Sequence, residues 1–207
     1  MRGLNYLLGS FIALTTIACS SPALSADEIN EETNQITVKD KQTPIQEKNP
    51  AGEKIVTYAK EFLGKPYAWG GRDTSGNPGV DCLGLIYRSF SQTFGDDWKS
   101  YPVNPIDMVK SPKLGKPVEG LDGILYENVP DRLHLIQEGD MIYFLLGAYM
   151  VAETEVTEIE GERYGCWHTA LSLGENQIIH AKPGREVRED LLSNIVFDAL
   201  YVSRRTE

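Results

Sequence analysis

In this chain the helical periodicity comes first and the strand signals come afterwards, and that order limits the folds open to it. Asn49-Pro50 reads as an N-cap followed by proline at the first helical position. Ile55, Val56, Ala59, Phe62 and Leu63 then fall on one helical face, and Gly64 closes the helix. A second helix starts after Asp81, with Leu83, Ile86, Tyr87, Phe90 and Phe94 at spacings of three and four. Residues 100–135 are rich in proline and glycine, and predict an irregular excursion with one short helix. The rest reads as strands. Met141 to Leu146 follows the turn Glu138-Gly139-Asp140. Trp167 to Leu173 and Gln177 to Ala181 form a hairpin about Gly174-Glu175-Asn176, and a last strand lies within Val196 to Val202. Helices followed by strands predict an α+β domain rather than a βαβ alternation.

A length of 207 residues allows one such domain and a short appendage. The appendage is N-terminal. Arg2 and the apolar run Leu7 to Ala18 have the form of a signal peptide, with a run too short to span a bilayer comfortably. Two exits are readable: cleavage beside Ala26, or a lipobox Thr16-Ile17-Ala18-Cys19 in which Cys19 becomes a lipidated N-terminus. A single acyl chain there would tether the protein, not thread it through the membrane. Residues 1–26 are therefore expected to be the signal segment and 27–48 a polar linker without aromatic residues. Residues 49–207 are expected to be the folded domain. The net charge of −10 makes nucleic acid and anionic membrane surfaces poor partners.

Cys82 is the first candidate for chemistry. It follows the N-cap Asp81 and so lies in the first turn of a buried helix. The partial positive charge and unpaired amides of a helix start favour a thiolate and could hold an oxyanion. The plain alternative is a buried, inert cysteine. The histidines bear on the choice, and there are only three: His134, His168 and His180. His134 sits in the irregular region and reads as structural. If the hairpin turn is Gly174 to Asn176, paired residue numbers sum to 350, Ala170 faces His180, and His168 lies diagonal to His180 on one face. A two- or four-residue turn would put the two rings on opposite faces. Ala170 and Ser172 share the histidine face and leave room for a helix end, whereas Leu171, Leu173 and Ile179 suit the core. A cysteine at a helix start with two such histidines has the form of an activated nucleophile, its base and the group that orients the base.

These residues sit within segments that resemble the NlpC family of bacterial cell-wall cysteine peptidases, in the papain-like superfamily. The segments are Pro66-Tyr67-Ala68-Trp69-Gly70-Gly71, Asp81-Cys82-Leu83-Gly84-Leu85, Gly139-Asp140 before an apolar strand, His168-Thr169-Ala170-Leu171-Ser172-Leu173-Gly174, and Ile179-His180-Ala181. They occur in the family's order and span about residues 50 to 205. The resemblance implies a papain-like α+β fold: N-terminal helices carry the nucleophile and pack on a central antiparallel sheet that carries the histidines. It implies a Cys82–His168–His180 triad, with His168 as base and His180 orienting it. Tyr67, Trp69 and Asp81 would lie on the substrate side, Tyr67 near the oxyanion and Asp81 toward the stem-peptide amine. The reaction implied is hydrolysis of a peptidoglycan stem-peptide amide, between the γ-carboxyl of D-glutamate and a diamino acid, in a monomer of the cell envelope. No metal or organic cofactor is expected.

Leu83 replaces the family's usual serine, which bears on the substrate subsite more than on catalysis. The 28 residues from Asp140 to His168 are more than the family usually has. They hold Glu153, Glu155, Glu158, Glu160 and Glu162, expected to form an acidic hairpin or loop. Residues 100–135 read as a second insertion. Cys166, two residues before His168, is expected on the same side of a regular strand, as a buried thiol, a second thiol near the site or a disulfide partner of Cys82. A zinc site from Cys82, Cys166, His168 and His180 lacks the close ligand pair of structural zinc sites. Two other functions stay open: a cysteine amidase or acyltransferase on a non-wall substrate, and an inactive wall-binding member.

Overall fold

The structure is a computed structural model, and it describes residues 49–72, 79–150 and 155–207. The signal segment, Cys19, the linker, Glu153 and part of the glycine-rich stretch before Gly79 lie outside the described residues.

Helix α1 (Pro50–Lys60) begins at Asn49 with proline in its first turn and buries Ile55, Val56 and Ala59. Its last turns tighten, with amide-to-carbonyl bonds from Phe62 to Ala59 and from Leu63 to Lys60. Phe62 stays in the core, but Leu63 does not share that face and is exposed. A three-residue turn advances the chain by 120° per residue, not 100°, which rotates Leu63 outward. Helix α2 (Cys82–Phe94) starts at Asp81, whose carboxylate accepts the Gly84 amide at 2.6 Å. It ends at Gly95 in the left-handed region.

The excursion between α2 and the predicted strands holds one short helix, α3 (Pro105–Lys110), and also a strand the sequence concealed, β1 (Lys116–Leu125). Pro117, Gly120 and Gly123 hide it, and its pairing is shifted twice. Such residues are tolerated because β1 is an edge strand, with one side free of ladder bonds. The other strands are β2 (Met141–Gly147), β3 (Glu155–Ile159), β4 (Glu162–Gly174), β5 (Gln177–Ala181), β6 (Val187–Leu191) and β7 (Ala199–Arg204). All paired strands are antiparallel, in the order β1-β7-β2-β4-β5-β6, with β3 on β4 as well. The acidic insertion is thus the β3–β4 hairpin, turned at Glu160-Gly161 with both residues at positive φ. The fold is α+β, with helices at one end of the chain and the sheet at the other.

Both sheet faces are buried. Helices α1 and α2 pack on the face of Tyr143, Leu171, Ile179 and Tyr201. The opposite face, with Ile142, Phe144, Ala170, Ile178 and Leu200, is covered by Leu121, Val129, Ile136, Leu192 and Phe197. The helices therefore do not pack over Ala170, whose small side chain instead fits beneath this second roof.

Two motif residues hold the frame. Gly139 lies at φ +84°, and a Cβ there would overlap the backbone of Gly52 in α1. Asp140 is fully buried, and both its oxygens meet Arg204 of β7 at 2.7 Å. The Gln137 amide also donates to it, at 2.8 Å. The ion pair ties the start of β2 to the end of the chain.

Candidate active site

The β4–β5 hairpin has the register that aligns the histidines, since Leu171 faces Ile179 and Ser172 faces Ile178, but not through the expected three-residue turn: Gly174 faces Gln177, the turn is Glu175-Asn176 with both residues at positive φ, and a bulge between Ser172 and Gly174 restores the register. His168 Nε2 and His180 Nδ1 lie 2.7 Å apart, and both residues are almost fully buried. Phe144 stacks on the His168 ring at 5.9 Å between centroids, and Trp167 lies against it at 5.2 Å. The ring is thus held in one orientation by packing as well as by its neighbour.

Strand β4 does not alternate regularly through this region. Phe144 of β2 pairs with His168, but the next residue, Leu145, pairs with Cys166, so Trp167 is the extra residue of a bulge. The bulge reverses the expectation for Cys166. Its side chain joins the helix-side core with Tyr143 and Leu171, while Trp167 packs against the opposite core with Phe144. Cys166 and His168 therefore leave the strand on different sides. The Cys166 thiol donates to the His168 carbonyl at 3.4 Å.

A cavity of about 110 Å³ brings the predicted residues together. It is lined by Trp69, Arg72, Asp81, Cys82 and Leu83, by Val103, Pro105 and Met108 of the excursion, and by the β4 run Cys166–Thr169. That run falls between the stretches of β4 paired with β3 and with β5. His180 lies behind His168 and does not line the cavity, and Tyr67 lies beside it. The Tyr67 backbone is fixed by bonds to Arg185 and by a bridge to Val80. Trp69 is 83% exposed at the mouth. His134 sits away from the site, in the short helix Pro130–Leu135.

Asp81 is buried and engaged on both oxygens. Besides capping α2, it accepts the Gly70 amide at 3.1 Å and lies 3.6 Å from Arg72 Nε. Burial first, and the Asp81 charge second, push the Cys82 thiol up, while contacts with Thr169 and the Leu83 backbone pull it down. The resting residue is therefore a thiol, where the helix start alone predicts a thiolate. Burial lowers His168 to about 3 and His180 to about 4, so both rings are neutral near pH 7. Tyr67 is pushed up to about 12 by burial, then by Cys82 and Asp81, and keeps its proton. A neutral thiol, a neutral imidazole and a phenol that can only donate or accept as O–H suit attack by a thiol whose proton is removed during the step.

Sequence reasoning missed Thr169, Arg72 and Asp190. Thr169 is buried next to Cys82, and Arg72 directly follows the Gly70-Gly71 pair. Asp190 belongs to β6, which reads in the sequence as the charged run Val-Arg-Glu-Asp-Leu and gives no strand signal. Its Oδ2 lies 4.0 Å from His180 Nε2. Among the described residues no three His, Cys, Asp or Glu side chains are grouped as a metal site. No helix among them is long and apolar enough to cross a membrane.

Comparison with known proteins places these residues in a family. Residues 64–206 match the NlpC/P60 family. Protein P54 of Enterococcus faecium is 27% identical over 140 residues, which are 66% of this chain but 19% of that protein, so the chain spans about a fifth of this relative's length. Among solved structures, the NlpC/p60 domain of the peptidoglycan hydrolase SagA is 24% identical, covering 74% of this chain and 98% of that one, with a TM-score of 0.45. The peptidoglycan hydrolase RipB of Mycobacterium tuberculosis is 20% identical, covering 76% and 65%, with a TM-score of 0.46. A family member from Bacillus cereus is 20% identical, covering 77% and 41%, with a TM-score of 0.48.

Proposed function

The chain belongs to the NlpC/P60 family, and from that premise we propose that it is an exported cysteine peptidase that hydrolyses amide bonds in peptidoglycan stem peptides. The bond assigned is the one between γ-D-glutamate and a diamino acid. The observation that carries the reading is the shared cavity of Cys82 and His168, with His168 Nδ1 lacking a partner and its Nε2 on His180. One nitrogen of the base is held and the other is left for a proton.

In the proposed reaction, Cys82 Sγ attacks the amide carbon and its proton passes to His168 Nδ1. The negative oxygen is held by the first-turn amides of α2 and by the Tyr67 hydroxyl. His168 then gives the proton to the departing amine, leaving a thioester on Cys82. Water attacks the thioester, one of its protons goes to His168 and from there to the departing sulfur, and the product acid loses the other to solvent as it leaves as the carboxylate. Trp69 at the mouth and Asp81 on the cavity wall are assigned to substrate. The positively charged Arg72 beside Asp81 sets how much of that carboxylate an incoming amine meets. Residues 1–26 are assigned to export, either as a cleaved signal or as an anchor through Cys19, and 27–48 to a tether ahead of the domain at 49–207. The site of action proposed is the cell envelope, with the protein acting as a monomer.

The test is the mass of soluble fragments released from purified peptidoglycan in reducing buffer. Wild type and Cys166→Ala are expected to release stem-peptide fragments, and Cys82→Ala none. Release of no fragments by any variant would refute the wall substrate. Because Leu83 puts an apolar side chain on the cavity wall, a different amide substrate for the same thiol would then be the reading to pursue.

A further inference from the structure

The two buried histidines leave a question that fixes whether His168 is a base at all: which ring carries the proton between them. One proton lies in the 2.7 Å contact of His168 Nε2 with His180 Nδ1. If it belongs to His168 Nε2, then His168 Nδ1 is a bare lone pair, able to accept a proton. If it belongs to His180 Nδ1, then His168 Nδ1 carries the hydrogen and cannot accept one. The outer nitrogens settle the balance. His168 Nδ1 and His180 Nε2 are both buried without a hydrogen-bond partner among the described residues.

Behind His180 Nε2 stands Asp190, its Oδ2 4.0 Å away, and its side chain is only 9% exposed. The carboxylate is itself fixed. Asn194 donates to it at 2.7 Å, the Leu191 amide at 3.0 Å and Lys182 at 3.3 Å, with Arg188 Nε at 3.8 Å. Strand pairing sets the geometry, since His180 faces Arg188 and Ile178 faces Asp190 across β5 and β6. Asn194 first, against burial, holds the Asp190 carboxyl below its usual value, so it is ionised near neutral pH.

We propose that Asp190 is a positioning residue of the active site, which selects the tautomer of His180 and through it the tautomer of His168. A carboxylate facing His180 Nε2 favours a hydrogen there and disfavours a lone pair. With Nε2 protonated, His180 Nδ1 must accept, His168 Nε2 must donate, and His168 Nδ1 is left as an open acceptor in the cavity it shares with Cys82. The same negative charge stabilises the positive ring that forms when His168 takes the thiol proton. The chain of control runs Asp190–His180–His168–Cys82, one member longer than the triad. Lys182 and Arg188 are the other charges that bear on His180, and both oppose its protonation. Asp190 is the group that offsets them. The proposal rests on His168 acting as a base, but its first test needs no substrate.

That test is the nitrogen-15 shift pattern of the imidazoles near neutral pH. With three histidines in the chain, one of them remote, the assignment is tractable. Wild type is expected to show His180 and His168 both protonated at Nε2. Finding His180 protonated at Nδ1 in the wild type would overturn the proposal without any variant. Asp190→Asn can donate to His180 Nε2 and is expected to populate the reversed tautomers, while Asp190→Glu keeps the wild-type pattern. On peptidoglycan, Asp190→Asn should lower kcat roughly 10- to 100-fold with KM little changed, less than loss of a full general base. In a His180→Gln background the same change should cost under about 2-fold. Unchanged tautomers in Asp190→Asn, or an equal loss in both backgrounds, would assign Asp190 to β6 structure alone. If wild type releases no wall fragments but shows the expected tautomers, the substrate reading fails and this one stands.

Discussion

Replacing Arg204 by methionine tests the frame that holds the site. The substitution keeps most of the apolar stem and removes the guanidinium that meets both oxygens of the fully buried Asp140. What remains is a carboxylate with one amide donor, from Gln137. Breaking a buried pair by removing one partner costs about 3–5 kcal/mol, because the other charge is left without compensation. With a urea slope of roughly 2 kcal/mol per molar, the unfolding midpoint should fall by about 2 M. The dependence on pH gives the sharper check. Burial already holds the Asp140 carboxyl above its ordinary value while Arg204 pulls it down, so without Arg204 it rises further. The folded variant then binds a proton that the unfolded chain lacks, and stability is regained as pH falls toward the unfolded carboxyl value of about 3.9. The deficit relative to wild type should therefore shrink between about pH 7 and pH 5. Adding Asp140→Asn should recover part of the loss at pH 7. Urea unfolding followed by tryptophan fluorescence measures all three proteins. A deficit below about 1 kcal/mol, or one that grows on acidification, would refute the argument that an uncompensated buried charge is what the variant suffers.

Asp81→Asn keeps an acceptor for the Gly84 amide and removes a charge that raises the Cys82 thiol. Iodoacetamide should then alkylate Cys82 faster near neutral pH, and a slower rate would contradict that electrostatic role. Asp81→Ala also loses the helix cap, with a cost of about 1 kcal/mol readable in the same urea assay. His168, lowered to about 3, is neutral when folded but takes a proton when unfolded below about pH 6.5. Stability should therefore be lost as pH falls from about 6.5 toward 3, and His168→Gln should flatten that part of the curve. For the same reason the acid limb of kcat/KM is expected near pH 3 rather than pH 6.5, which a rate profile would check. Gly139→Ala places a side chain at positive φ against the Gly52 backbone, and should destabilise by about 2 kcal/mol or more on thermal unfolding.

The parts of this protein that follow local rules were legible in its sequence. Helix starts at Asn49 and Asp81 and the apolar face of α2 each depend on a few neighbouring residues, and each appears in the structure. The meeting of His168 with His180 was expected from a three-residue turn, but the turn is Glu175-Asn176, and an irregularity between Ser172 and Gly174 restores the expected register. What stayed hidden depends on position in the sheet. Strands β1 and β6 are edge strands, where proline, glycine and charge are tolerated because one side meets no ladder. Asp190 was hidden with β6. Cys166 was misplaced because a bulge has no sequence mark of its own, and the register of β2 on β4 decides where it falls. Leu63 was misplaced by a change of helical pitch that its own residue type does not announce.

The bulge at Trp167 also sets a rule for how this family member can vary. On one side of it lies the added hairpin, on the other the strand that presents His168. Because one residue is left over at the junction, the inward and outward phase of the hairpin is shifted by one residue from that of the half that carries His168. The hairpin can be lengthened, recharged or exchanged without turning His168 away from the thiol, provided the surplus residue is kept. Deleting a single residue at Gly165–Trp167 would lock the two halves into one alternation, and the whole upstream arm would present its opposite side to the protein. The junction acts as a slip coupling between a variable arm and a fixed one.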